Sequence, residues 1–376
     1  PIGRLGFQLD GEKADNDYPF VFDNGTMREH RRRTWAQTQS WTPAVRWLTP
    51  DRLKVGSGEL GFRGHYTQRQ LPGATLLYTV REGERMNDDE TAVHGKWQLR
   101  RKAWRWRVAA QALFHQKRYE DRDRQYPGGV RQDDYRQREY WFSTGVEHRI
   151  SAHWQWAYAV DGTWATLHQT GQAEREVGRT SLQQALSLRY HRARGSATLR
   201  LLRHDFFNTA RNTDPTNSGT ANNVGSFGLQ GTAHTDLWRT PATQVRLRAM
   251  AQSTFRAPTF AENYYFRYGN TQLRNERAQR LNFGLVGAYA VGLWQVQASA
   301  DAFADRITDG IVAIPLTPAI WRTENLDQVL ASGLDVTANV RYARKKRTTI
   351  AAMGHWLLCR TLDRSTPTTR SYNLTL

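Results

Sequence analysis

The strongest signal along the chain is alternation. Trp104, Trp106, Val108, Ala110, Ala112 and Phe114 share one parity, and Arg105, Arg107, Ala109 and Gln111 take the other. The same period of two recurs at Trp154, Trp156, Tyr158 and Val160, and at Leu186, Leu188 and Tyr190. It returns at Val245, Leu247, Ala249 and Ala251, opposed by Arg246 and Arg248. Further on, Trp294, Val296, Ala298, Ala300 and Ala302 oppose Gln295, Gln297, Ser299 and Asp301. Leu334, Val336, Ala338, Val340 and Tyr342 oppose Asp335, Thr337, Asn339 and Arg341. Side chains of a strand point alternately to opposite faces, so this pattern predicts strands with one apolar and one polar face. Several segments approach the ~9–11 residues that a tilted strand needs to cross an outer membrane, about twice the ~5–6 of a typical soluble strand.

The connections add a second pattern. Short ones are expected at Arg101-Lys102, His148 to His153, His191 to Gly195, Arg239 to Thr243, Val291 to Leu293 and Arg344 to Arg347. Long ones are expected at Arg81 to Thr91, Gln116 to Gln137, Ala165 to Thr180, Asp205 to Gly225, Thr254 to Arg280 and Asp305 to Leu330. Strict alternation of tight turns and long loops is the habit of an outer-membrane barrel. The first 27 residues read as turn chemistry around a short apolar patch, with NDYPF and DNGT as its turns. Arg28 to Trp41 and the segment around Trp47 read as weak strands, and Pro72-Gly73 as a turn before another.

Composition narrows the classes. The mean hydropathy is −0.72, and the best apolar run, Val286 to Trp294, is far shorter than the ~20 residues of a lipid-spanning helix. Strands that show lipid only every second residue keep such a low average. Fourteen Trp and fifteen Tyr suit aromatic girdles at two membrane interfaces. Cys359 is the single cysteine, so no intrachain disulfide can form and two-cysteine metal motifs are missing. The net charge of +18 raises nucleic acid as a partner. The Lys and Arg residues are spread along the chain rather than gathered in one arm, which argues against it. The chain opens PIGRLG, without an initiator Met or a signal segment, as expected of a processed or partial chain.

One stretch carries specific motifs. Ser253 to Gly284 reads STFRAPTFAENYYFRYGNTQLRNERAQRLNFG and joins two alternating segments. It resembles the strand–loop–strand motif of TonB-dependent receptors through Phe255-Arg256-Ala257-Pro258, Glu262, Tyr264, Gly269-Asn270, Leu273, Glu276 and Gly284. Thr254 stands where Ser is usual, Asn263 where Leu is usual, and Thr271 and Asn275 where Pro is usual. Glu324 to Val336, ENLDQVLASGLDV, resembles the family too, with Asp335 in place of the usual Glu. The family is more often near neutral or acidic, so the charge is a departure.

The resemblance implies an all-β fold, a transmembrane antiparallel up-and-down β-barrel. Residues 1 to 376 then form part of one barrel domain, with roughly sixteen strands placed against about 22 in the family barrel. The family's plug domain and last strands are not visible. The implied place is the bacterial outer membrane. The implied function is a receptor that binds a scarce solute of the siderophore, cobalamin, haem or glycan class and imports it with TonB-supplied energy. Its partners would be the TonB complex, through the plug, the small-molecule ligand, and outer-membrane lipid and lipopolysaccharide, with no nucleic acid. No cofactor is expected, although the transported ligand can carry iron or cobalt. A passive channel or adhesin barrel, and a basic nucleic-acid-binding β protein, are the alternatives.

Enzyme chemistry is not expected. No nucleophile elbow, P-loop, dinucleotide fingerprint or metal-ligand spacing appears, so no catalytic or metal residues are named. The alternation of Trp104 to Arg107 could stack nucleic-acid bases, but a strand with lipid-facing Trp and lumen-facing Arg accounts for it. Phe260, Tyr264, Tyr265, Phe266 and Tyr268 lie within nine residues, beside Arg256 and Arg267. Such a cluster either packs loop on loop or lines a ligand vestibule. The ligand-contact candidates are Arg211, Asn222, Arg256, Tyr264, Tyr265, Arg267 and Tyr268. Trp104, Trp106, Trp154, Trp156, Val245, Leu247, Val296, Leu334 and Val336 are expected to face lipid. Arg105, Arg246, Arg248, Gln295, Asp301 and Asn339 are expected to face the lumen, since a lipid-facing charge at the midplane costs ~2–4 kcal/mol. Arg101, Arg192 and Lys345 are expected at one rim, and Asp89, Asp133, Asn217 and Tyr265 at the other.

Overall fold

The computed structural model describes residues 3–23, 25–50, 56–72, 83–126, 129–171, 174–212, 219–265, 268–317, 320–344, 348–363 and 370–372. The strands are β1 (Arg4–Ala14), β2 (Tyr18–Asp23), β3 (Arg28–Arg33), β4 (Thr38–Leu48), β5 (Ser57–Leu71), β6 (Glu84–Arg101), β7 (Trp104–Tyr126), β8 (Gly129–Arg149) and β9 (Trp154–Thr170). They continue as β10 (Arg175–Arg192), β11 (Gly195–Asn212), β12 (Val224–Arg239), β13 (Thr243–Arg256), β14 (Glu276–Val291), β15 (Trp294–Thr317), β16 (Ile320–Arg344), β17 (Thr348–Asp363) and β18 (Arg370–Tyr372). Among the described residues one helix, α1 (Phe260–Tyr264), lies between β13 and β14. Among the described residues, sixteen strands follow one another in a single sheet, β1 beside β4 and then each beside the next, while β2 and β3 pair with each other. This is the up-and-down antiparallel meander of a transmembrane β-barrel. Among the described residues no helix is long and apolar enough to cross a membrane, which says nothing of strands.

Two compact units divide the chain. The first holds residues 1–145, 161–182 and 206–222, and the second holds 146–160, 183–205 and 223–376. Within the first, pairing aligns Phe7, Val45, Phe62, Val93 and Ala112 across five strands. Within the second, it aligns Leu247, Leu285, Ala300, Val336 and Trp356. One residue along, the aligned set is Arg248, Gly284, Asp301 and Asp335. Directly paired residues share a face, so each unit has an apolar and a polar side. The apolar side is the exposed one: Phe7, Phe283 and Trp356 lie open, whereas Asp236 and Asp301 are buried. That inverts a water-soluble protein, and it fits a sheet whose apolar face meets lipid. The parity places Val245, Leu247, Val296, Leu334 and Val336 on the apolar side and Arg246, Arg248, Gln295, Asp301 and Asn339 on the other, as the alternation predicts.

Three expectations change. The opening residues are not turns: β1 is an eleven-residue strand paired with β4. Its signal, Leu5, Phe7 and Leu9 alternating with Gly6, Gln8 and Asp10, is short and polar. The segment Arg28 to Trp41 is split between β3 and the start of β4. Most of the expected long loops are strand. β7 continues to Tyr126, β9 to Thr170 and β15 to Thr317, and β6 begins at Glu84. At ~3.3 Å per residue, the 25 residues of β16 would reach about 80 Å, against a hydrocarbon core of about 30 Å. The ladder persists because backbone pairing does not require an apolar face, and polarity on both sides of such an extension hides it from a periodicity reading. The strand expected after Pro72-Gly73 lies outside the described residues.

Candidate functional site

Thr254 to Arg280 does contain an irregular connection, and its residues tie it down. Pro258 cannot donate to a ladder, so β13 stops at Arg256. Thr259 then caps α1. Its hydroxyl accepts from the Glu262 N–H (3.2 Å), and the Glu262 carboxylate accepts from the Thr259 N–H (2.7 Å), a reciprocal capping box. Five residues cannot sustain a helix on propensity alone. Burial of Phe260, Asn263 and Tyr264 supplies the rest.

Glu262 also anchors a charge cluster. Arg256 Nη1 donates to both Glu262 oxygens (3.0 and 2.8 Å), and Arg256 Nη2 reaches Glu276 Oε2 at 3.4 Å. Glu276 accepts the Ile311 N–H at 3.1 Å. One arginine therefore joins the end of β13, the helical turn and the start of β14, and Glu276 carries the link on to β15. Burial by itself would push the Glu262 carboxyl up. Its bonds from the Arg256 guanidinium and the Thr259 N–H outweigh burial and hold it below its ordinary value.

The second half of the connection docks on the β15–β16 hairpin. A Cβ on Gly269 would sit 2.5 Å from Tyr264 N and 2.6 Å from Asn263 C, so only glycine permits the approach. The Asn270 N–H donates to Glu262 O at 2.8 Å, and Asn270 Nδ2 donates to Thr323 O at 3.1 Å. Thr323, enclosed in β16, donates its N–H to Tyr268 O (2.9 Å) and its hydroxyl to Glu262 O (2.7 Å). Asn325 Oδ1 accepts the Arg274 N–H (2.8 Å), and Asn325 Nδ2 donates to Arg274 O (3.1 Å) and Asp309 O (2.7 Å). Arg274 Nε donates to Asp309 Oδ1 at 2.7 Å, which steadies Asp309 at a φ of 55°. The two stretches that resemble the family thus meet each other. Asn325 lay inside the second stretch. Thr323 and Asp309 had no sequence signal, because only the hairpin's register brings them to the loop.

Gly284 has a separate reason. Arg248 on β13 and Asp301 on β15 pair directly across β14, and a Cβ at Gly284 would collide with the Asp301 carboxylate and come within 2.9 Å of Arg248 Nε. The glycine leaves the gap through which an ion pair reaches over a whole strand.

The ligand candidates fall in different settings. Tyr264 is 0% exposed, so its ring packs, 6.3 Å from that of Phe260. Arg256 is committed to two carboxylates. Tyr265, at the α1 C-cap, and Tyr268 are half-buried. Arg267 and Phe266 lie outside the described residues. Arg211 and Asn222 are exposed and belong to the first unit, whereas the Arg256–Tyr268 residues belong to the second. Asn222 O accepts from Asn208 Nδ2 at 2.8 Å. Of the rim residues, Arg101 closes β6 and Arg192 closes β10, while Asp89 and Asp133 sit within β6 and β8 rather than in loops. Lys345 and Asn217 lie outside the described residues. Among the described residues, no group of three or more His, Cys, Asp or Glu side chains is placed to hold a metal. The arrangement is one of a tied-down connection and ion pairs.

A family model described as TonB dependent receptor-like, beta-barrel matches residues 4–373. Comparison with curated proteins by sequence gives no significant match. Among solved structures, the copper transporter OprC is similar at a TM-score of 0.68 and 13% identity, over 99% of this chain and 57% of that one. The FrpB iron transporter from Neisseria meningitidis gives 0.64 and 11%, over 97% and 58%. The ferric yersiniabactin uptake receptor FyuA from Yersinia pestis gives 0.62 and 11%, over 96% and 56%. The chain therefore spans a little over half the length of these structures. With its meander, its inverted faces and its strand–loop–strand element accounted for, the chain belongs to the TonB-dependent receptor family, as part of the β-barrel of a bacterial outer-membrane receptor.

Proposed function

We propose that this chain is the barrel portion of an active importer. It binds a scarce solute of the siderophore, cobalamin, haem or glycan class outside the cell and takes it up with TonB-supplied energy. The observation that supports this most is the family match over nearly the whole chain. The solved relatives named above are a copper transporter, an iron transporter and a ferric yersiniabactin uptake receptor, and metal-bearing solutes are the first to test. Contact with the TonB complex would pass through a plug domain, and iron or cobalt would arrive with the solute rather than reside in the barrel. Outer-membrane lipid and lipopolysaccharide would surround it, and nucleic acid has no part.

Arg211 near the end of β11, and Asn222, Tyr265, Arg267 and Tyr268, would meet the solute, with Arg256 and Tyr264 holding the β13–β14 connection from behind. Uptake of radiolabelled ferric siderophores, haem and cobalamin by cells carrying the full-length receptor tests the reading. Saturable uptake that stops when the proton gradient is collapsed is expected. Uptake that rises linearly with concentration and ignores the gradient would make the chain a passive channel. Replacing Tyr265 and Tyr268 by Ala should weaken uptake about tenfold or more, the effect of losing two aromatic contacts, without changing the amount of barrel in the membrane. Unchanged uptake would leave both rings as packing.

A further inference from the structure

The apolar face of the second unit is not uniform. Around β12 and β13 the register brings small residues together: Ala233 pairs with Ala249, Gly231 with Ala251, and Ala249 in turn with Phe283. They floor an apolar trough of about 480 Å³. Trp154 and Tyr190, their rings 4.9 Å apart, stand on one side, and Phe283, 59% exposed, on the other. The floor is open, since a Cβ on Gly231 would meet nothing within 4 Å. Two residues beyond Tyr190, on the same face of β10, comes the exposed Arg192, followed by the exposed Arg194 in the tight turn. The carboxylate adjoining this turn, Asp236, is taken by Arg246 at 2.7 Å and Arg239 at 3.6 Å.

We infer that this trough is a site for an anionic phospholipid, one acyl chain lying between Tyr190 and Phe283 and the headgroup phosphate held by Arg192 and Arg194. A chain laid over Gly231, Ala233, Ala249 and Ala251 gains the dispersion contacts that small side chains leave unfilled. Trp and Tyr sit at headgroup level in membrane barrels, which places Trp154 and Tyr190 at the depth where chain gives way to phosphate. Guanidinium groups bind phosphate through paired, charge-assisted hydrogen bonds. Tight turns of such barrels face the periplasm, where the leaflet is phospholipid. The inference rests on that membrane topology and is independent of which solute is imported.

The test uses the full-length receptor, purified in detergent and stripped of lipid. Native mass spectrometry then compares retention of phosphatidylglycerol, phosphatidylethanolamine and lipopolysaccharide. Phosphatidylglycerol should be retained preferentially. The double variant Arg192→Gln, Arg194→Gln should weaken its retention about thirtyfold, the effect of removing two basic groups from a headgroup layer, and weaken that of phosphatidylethanolamine less, since its ammonium already offsets the phosphate charge. Ala249→Leu, which fills the trough, should lower retention of both phospholipids. Because that variant could disturb the sheet, the turn variant, which removes no contact between strands, carries the decision. Equal retention of the two phospholipids, or no response to loss of the arginines, would reduce the trough to general lipid contact and overturn the proposal. A preference for lipopolysaccharide would overturn it as well, by assigning the face to the other leaflet. Failure of these results leaves the importer reading untouched, since no uptake is measured.

Discussion

At the scale of single residues, the motif is mostly a set of ties. Glu262 accepts from Arg256 and from the cap of its own helical turn, and its carboxyl is held below the ordinary value of 4.5. A carboxyl depressed in the folded state contributes stability that is present above its unfolded pKa. That contribution is lost as pH falls through the lowered folded value. Protection of the Thr259 and Asn263 amides from hydrogen exchange, taken relative to their intrinsic rates at each pH, should therefore be high at neutral pH and fall once the medium is more acidic than the usual carboxylate range. Glu262→Gln should show the low protection at every pH, and a wild-type loop equally protected at pH 7 and in strong acid would remove the argument. Gly284 offers a second test. Gly284→Ala places a methyl against the Arg248–Asp301 pair and should cost about 1–3 kcal/mol in urea unfolding. Gly231→Ala, whose methyl meets open space, should cost nothing measurable. Equal effects at the two glycines would mean that the ion pair does not need the gap.

At the scale of elements, each strand is a two-faced ribbon whose register is enforced by both faces together. On β13, Leu247 belongs to the exposed apolar side, and Arg248 pairs with Asp301 on the other. A slip of one residue would move every apolar side chain of the strand to the polar face. Leu247→Arg should accordingly lower the stability of the inserted barrel by about 2–4 kcal/mol, the cost of a cationic side chain facing lipid near the midplane. Gln295→Arg, on the polar face of β15, should be tolerated. Folding titrations into lipid vesicles compare the two, and a neutral Leu247→Arg would mean that this face does not meet hydrocarbon. The β13–β14 connection behaves differently from the strands. It is held by side chains bonding backbone groups of the β15–β16 hairpin, so its form depends on a segment some fifty positions away in sequence.

At the scale of the whole molecule, orientation decides what the turns and loops meet. Tight turns of outer-membrane barrels face the periplasm and the longer connections face the outside. Arg192 borders a tight turn, and Arg274 lies in the connection tied to β15–β16. Cys359 is the single native cysteine and can be replaced by Ser first. In that background, a thiol probe that cannot cross the outer membrane should label Arg274→Cys on intact cells and miss Arg192→Cys. Labelling of Arg192→Cys alone would reverse the orientation, and with it the side on which solute and phospholipid are expected.

Alternation by itself determined the central parts of the strands from β7 onward, the apolar and polar sides of β13 to β16, and the tight turns between them. Those features depend on a local period that the sequence prints directly. The motif around Arg256, Glu262, Gly269 and Gly284 was legible as a family signature, but its meaning was not. Tertiary structure decided that Tyr264 is packing, that Gly284 makes way for an ion pair, and that Thr323 and Asp309 complete the loop. It also turned most of the expected loops into strand, because a backbone ladder extends wherever a partner strand is alongside, whatever the side chains' polarity. The apolar trough could not be read at all. Gly231, Ala233, Ala249 and Ala251 lie on two strands, and only the register between them and their neighbours makes a hollow of residues that in sequence are merely small.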